Sequence, residues 1–161
     1  MAKAPDRREE IGRALERMRQ DLPQTSAASS RHVRSLVRYV HAHLFDAGLN
    51  VTVARSACRL RDNNVSSLFR HEVGCSIKDY IDGLRMEAAR RLLRDRTFSI
   101  FEIGRALGYT HPQTFYRVYR RHFGTAPASA RRTAPAGPGV DAAIARLRRA
   151  PGKVDWADSP S

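Results

Sequence analysis

Apolar positions recur at intervals of three and four along most of the chain, the period of a helix that buries one face. The clearest stretch is Ser99 to Gly124. Ser99 followed by Glu102 is a capping box, in which hydroxyl and carboxylate each satisfy a backbone N–H and mark a helix start. Ile100, Ile103 and Leu107 then share one face, and Gly108 is suited to the left-handed conformation that ends such a helix. Pro112 fits the first turn of the next helix, where its missing N–H has no partner to lose. From there Phe115, Val118, Tyr119 and Phe123 form an apolar stripe, while Gln113, Thr114, Tyr116, Arg117 and Arg120 point elsewhere.

The preceding chain follows the same period. Ile11, Leu15 and Met18 predict a short amphipathic helix within Asp6 to Asp21, and Pro23 to Ser30 has linker composition. Val33, Leu36, Val37, Val40 and Leu44 predict a helix over 32–47, closed by Gly48. Asn50 or Thr52 can cap another that runs to about Cys58, with Val53, Ala54 and Ala57 inward. After Arg59-Leu60-Arg61, the residues Val65, Leu68, Phe69 and Val73 make a buried face and leave Asp62, Asn63, Asn64, Ser66, Ser67 and Arg70 outward.

These segments repeat. Val65, Leu68, Phe69, Arg70 and Gly74 match Phe115, Val118, Tyr119, Arg120 and Gly124 at a constant offset of fifty residues, so the chain holds two helix-turn-helix units. Between them Ser76 and Asp79 open a longer helix with Ile77, Ile81, Leu84, Ala88 and Leu92 on one face and Arg85, Arg90, Arg91 and Arg94 around the rest. It is expected to act as a stiff rod joining the units. Helix, tight turn and helix with a polar outer face is the geometry that enters a DNA major groove, and two such helices on one face of the duplex must sit roughly 34 Å apart.

Charge fits that partner. Lys and Arg number 29 against 16 acidic residues in 161, a formal charge of +13 that attracts polyanions. No apolar run reaches the roughly 18 residues of a membrane span, and the N-terminus lacks a signal peptide's apolar core, so no membrane partner and a cytoplasmic, nucleoid-associated location are expected. Cys58 and Cys75 lack metal-ligand spacing and read as small core or turn residues. His41, His43, His71, His111 and His122 read as solvated or capping groups. No nucleophile elbow, phosphate-cradling glycine loop or zinc spacing occurs, so neither catalysis, cofactor nor metal is expected.

The signature I-F-E-I-G-R-A-L-G-Y followed by F-Y-R-V-Y-R-R-H-F-G-T-A-P, with the connecting phrase Y-I-D-G-L-R-M-E-A-A-R-R-L-L, resembles the DNA-binding domain of the AraC/XylS family of bacterial transcription regulators over about His32 to Arg132. The resemblance implies an all-α domain of two homeodomain-like three-helix units joined by the long helix, with the third and sixth helices in successive major grooves. By motif position, base-reading residues fall on Asn63, Ser66 and Ser67 in the first unit and on Pro112, Gln113, Thr114, Tyr116 and Arg117 in the second. Asn63, Asn64 and Gln113 have the chemistry to pair adenine bidentately, Arg117 to pair guanine, and Thr114 to touch a thymine methyl. Arg61, Arg70, Arg120 and Arg121 are the expected phosphate contacts.

Departures from the family pattern are Arg59 in place of the usual turn glycine, Ser67 where an arginine is common, Gly104 for alanine, and Ala130 for the aromatic before Arg131. Asp62 reads as a helix cap, with direct cytosine readout as the alternative. The second unit is accordingly expected to carry more of the affinity. Residues 1–31 read as a short helix and linker, 32–132 as the DNA-binding domain, and 133–161 as a tail with a short helix around Val140 to Leu147 and a lone Trp156. No separate effector domain is expected within this length. RNA polymerase is the expected protein partner for activation, a monomer fits the pattern, and the alternative function is a protein-interaction module derived from this fold.

Overall fold

The computed structural model describes residues 6–22, 25–26, 28–61 and 64–133, with no strand among them. The described helices are α1 (Arg7–Gln20), α2 (Arg31–His43), α3 (Val51–Ala57), α4 (Asn64–Val73), α5 (Ile77–Leu92), α6 (Ile100–Ala106), α7 (Pro112–Phe123) and α8 (Pro127–Thr133). Side-chain oxygens of Asp6, Ser30, Asn50, Ser76 and Ser99 accept backbone N–H bonds at the starts of α1, α2, α3, α5 and α6. Such caps stabilise a helix by about 1 kcal/mol each. The box at Ser99 is complete: Glu102 N–H donates to Ser99 Oγ at 3.1 Å, and Ser99 N–H donates to the Glu102 carboxylate at 2.8 Å. That second bond holds the Glu102 carboxyl below its usual range.

Two apolar cores share one helix. Val33, Leu36, Val37, Val40, Ala54, Val65 and Phe69 pack with Ile77, Tyr80, Ile81 and Leu84 from the first half of α5. Met86, Ala88, Ala89, Leu92 and Leu93 from its second half pack with Ile103, Leu107, Tyr109, Phe115, Val118 and Tyr119. The stiff connector is thus a wall of both units. Ile11 and Leu15 of α1 are buried in the second core, so the N-terminal helix packs across the chain against the unit farthest from it in sequence. Gly104 finds its reason here: a Cβ at this position would lie 3.1 Å from the Phe115 ring, so the helix penalty of glycine is accepted for close packing.

Several expectations are corrected. The second helix ends at His43, with Leu44 as its cap, four residues before Ala47, and Gly48 is not among the glycines with positive φ. The seven-residue α3 buries only Ala54, leaving Val53 at 39% exposure and Ala57 exposed, because so short a helix has one inner turn to offer. Arg85 is not on an outer face. It is buried with Asp82 and Glu87, because α5 is covered on several sides and its polar residues find partners there. His41 is no solvated group either: its ring lies 2.7 Å from Tyr80 Oη, and burial lowers its pKa to about 4. His122 is also partly buried, which lowers its pKa in the same way. Asp62, Asn63, the helix expected around Val140 to Leu147, and Trp156 lie outside the described residues.

Candidate nucleic-acid interface

Each helix-turn-helix closes by the same local geometry. After α6, Gly108 N–H bonds Arg105 O and Tyr109 N–H bonds Gly104 O, both at 3.1 Å. After α3, Arg59 N–H bonds Ser56 O at 3.0 Å and Leu60 N–H bonds Arg55 O at 2.9 Å. Both are paired closures around one left-handed residue, which satisfy the last carbonyls of a helix. The second unit uses Gly108 at φ 97° and the first uses Arg59 at φ 56°. A non-glycine residue held there costs on the order of 1–3 kcal/mol. The turns then deliver α4 and α7, each ending at a further left-handed glycine, Gly74 or Gly124.

The outer face of α4 presents Asn64, Ser66, Ser67 and Arg70, all exposed. Ser66, Ser67 and Arg70 line a groove with Val51, Ser76, Ile77 and Lys78. The one acid of this helix, Glu72, is turned away and accepts the Ser30 N–H at 2.9 Å. On α7, Gln113, Arg117 and Arg120 are exposed, Thr114 is half-buried, and Tyr116 is 41% exposed with its ring edge-on to Phe115. Pro112 is exposed at the first turn, and α7 contains no acidic residue. Neither α4 nor α7 has an acid in its first turn, as is also the case for α2, α3 and α8. Both outer faces therefore offer donors and positive charge toward a polyanion.

Arg61, just before α4, is exposed. Arg121 has a different setting from Arg120: its guanidinium reaches the Asp82 carboxylate at 3.3 Å and its side chain remains 43% exposed. Asp82 is held by Lys78 as well, and Tyr109 Oη donates to it at 3.4 Å. Burial raises the Tyr109 phenol well above its ordinary value, and the Asp82 charge adds to this, so it remains a donor. Arg85 sits beside this group, donating to Leu44 O at 2.8 Å and Asp46 O at 2.9 Å. One buried polar cluster on α5 thus fixes the turn after α2 and the turn between α6 and α7 at once.

The two repeated units and their exposed polar helices define a domain of two helix-turn-helix units. Residues 56–133 match the family described as a helix-turn-helix domain. That match accords with the resemblance of the sequence to the AraC/XylS family. The arabinose operon regulatory protein of Escherichia coli K12 is 30% identical over 100 residues, covering 62% of this chain and 34% of that protein. Among solved structures, the C-terminal domain of AraT, a response regulator from Geobacillus stearothermophilus, superposes with a TM-score of 0.63 at 24% identity, covering 69% of this chain and 92% of that one. The DNA-binding domain of AdpA, solved in complex with a target DNA, gives a TM-score of 0.58 at 22% identity, covering 67% and 100%. The chain spans less than half the length of the first curated relatives it matches.

Proposed function

We propose that the chain is a sequence-specific, double-stranded DNA-binding transcription regulator that inserts α4 and α7 into successive major grooves. The observation that carries this reading is the pairing of two exposed outer faces, with no acid among their described residues, on units that share α5. In the second groove Gln113 and Arg117 supply the bidentate chemistry for adenine and guanine, Thr114 a methyl contact, and Tyr116 an exposed ring edge. In the first, Asn63, Asn64, Ser66 and Ser67 supply shorter donors and acceptors. Arg61, Arg70 and Arg120 grip the backbone and set register without reading sequence. Arg121 divides its charge between Asp82 and a phosphate, so its contribution is the smallest of the four.

No catalytic step is involved. The protein acts by occupying its site, at the nucleoid, and activation runs through contact with RNA polymerase. No described helix is long and apolar enough to cross a membrane. Selection from a pool of random duplex DNA at physiological salt tests the reading. Recovery of a split motif with half-sites one turn apart supports it. Recovery of no motif contradicts it and favours a protein-interaction role for the same fold.

A further inference from the structure

Among the described residues, Arg59 is the one non-glycine with positive φ. The matching position of the second unit is Gly108, closed by the same pair of backbone bonds. Glycine is needed at 108 for two reasons, its φ of 97° and the absence of room for a Cβ beside Arg85 and Asp46. At 59 the backbone requirement is the same, yet a long cationic side chain stands exposed. Nothing in the turn itself calls for it. Arg59 lines one groove with Thr52, Arg55, Ser56, Leu60 and Arg61, with no acid among the described residues of that lining. Five other arginines of the fold face carboxylates or backbone oxygens: Arg90 and Arg91 with Glu87, Arg121 with Asp82, and Arg85 and Arg131 with backbone carbonyls.

We infer that this groove is a phosphate-binding site that grips the DNA backbone beside the first recognition helix, with Arg59 as its added cation and the Thr52 and Ser56 hydroxyls as neutral donors. The site rests on the duplex-reading function proposed above. It gives the first unit a backbone anchor beside Ser66 and Ser67, whose side chains are short and uncharged. The left-handed arginine is the backbone cost of that anchor, and guanidinium, which binds phosphate in a planar two-bond fork, is the side chain that makes it worthwhile.

The test uses the full chain and the duplex motif recovered by selection, with affinity measured across a salt series for wild type, Arg59→Gly and Arg59→Lys. Arg59→Gly suits the turn's backbone, and its helical circular dichroism and melting temperature are expected to be unchanged or higher. It should bind several-fold more weakly, with the same base preference and with the slope of log K against log salt reduced in magnitude by about 0.9, one phosphate contact. Arg59→Lys should keep most of that slope. An Arg59→Gly protein with wild-type affinity and slope overturns this site while leaving the regulator reading intact, as does one whose base preference changes. A wild-type chain that recovers no motif overturns the regulator reading instead, so the two failures are distinct.

Discussion

The guanidinium of Arg85 lies over the ring of Tyr109, 5.3 Å from its centroid, while its Nε–H donates to the Leu44 carbonyl. One side chain of α5 therefore touches the end of the first unit's opening helix and the turn of the second unit. Charged hydrogen bonds to buried carbonyls are worth about 1.5–3 kcal/mol each. Arg85→Met removes two of them at similar volume, and urea denaturation should show a loss on the order of 3 kcal/mol. A loss below 1 kcal/mol would mean that the junction does not hold the units together.

Glycines 108 and 124 separate backbone strain from crowding. Both have positive φ, but a Cβ at Gly124 meets nothing within 4 Å, whereas one at Gly108 would lie 2.8 Å from an Arg85 nitrogen and 2.9 Å from the Asp46 carbonyl oxygen. Gly124→Ala should cost about 1–2 kcal/mol, the strain of a left-handed alanine alone. Gly108→Ala should cost at least twice as much by the same denaturation measurement. Equal costs would contradict the packing described around Arg85.

His41 makes stability depend on pH. Burial lowers its pKa from 6.5 to about 4, so between those values the unfolded chain binds a proton that the folded chain refuses. Stability is then full above pH 6.5, falls as pH drops through that window, and levels off below about 4. The steepest slope from one such group is about 1.4 kcal/mol per pH unit. His122, also depressed by burial, acts with the same sign. Denaturation midpoints across pH 4 to 7 should fall with acid in wild type, and His41→Gln should flatten that fall without removing the share of His122.

Arg117 and Arg120 lie three residues apart, just under one helical turn, and both are exposed on α7. Arg117→Ala should lose about 1–3 kcal/mol of discrimination at one base pair, seen as relaxed preference at a single position of the selected motif. Arg120→Ala should weaken all sequences alike and reduce the salt slope by about 0.9. Selection and salt-dependent binding with each variant distinguish the roles, and an exchange of the two phenotypes would reverse the assignment.

The features legible from sequence are those fixed by neighbours along the chain. The Ser99–Glu102 box, the Pro112 start, the left-handed Gly108 and the stripe of Phe115, Val118 and Tyr119 all depend on spacing within one helix, and all stand in the structure. The offset between the units likewise places Gly74 against Gly124 and the start of α5 against that of α8. What stays hidden depends on contacts between distant segments. A stripe assumes one wet side, so Arg85 reads as surface until both units are seen closing on α5. His41 needs Tyr80, thirty-nine residues away, before its ring is withdrawn from water. Val53 and Ala57 carry apolar signals on a helix too short to bury them. Arg59 was visible as a replaced glycine, but only its φ and its groove give that replacement a purpose.

The spacing of the two half-sites tests most directly whether α5 holds α4 and α7 for simultaneous reading of one face of the duplex. Starting from the selected motif, insertion of about five base pairs, half a helical turn, between the half-sites moves one groove to the far side. Binding should then fall to the level of a single half-site. Retention of full affinity after that insertion would contradict a fixed pair of readers.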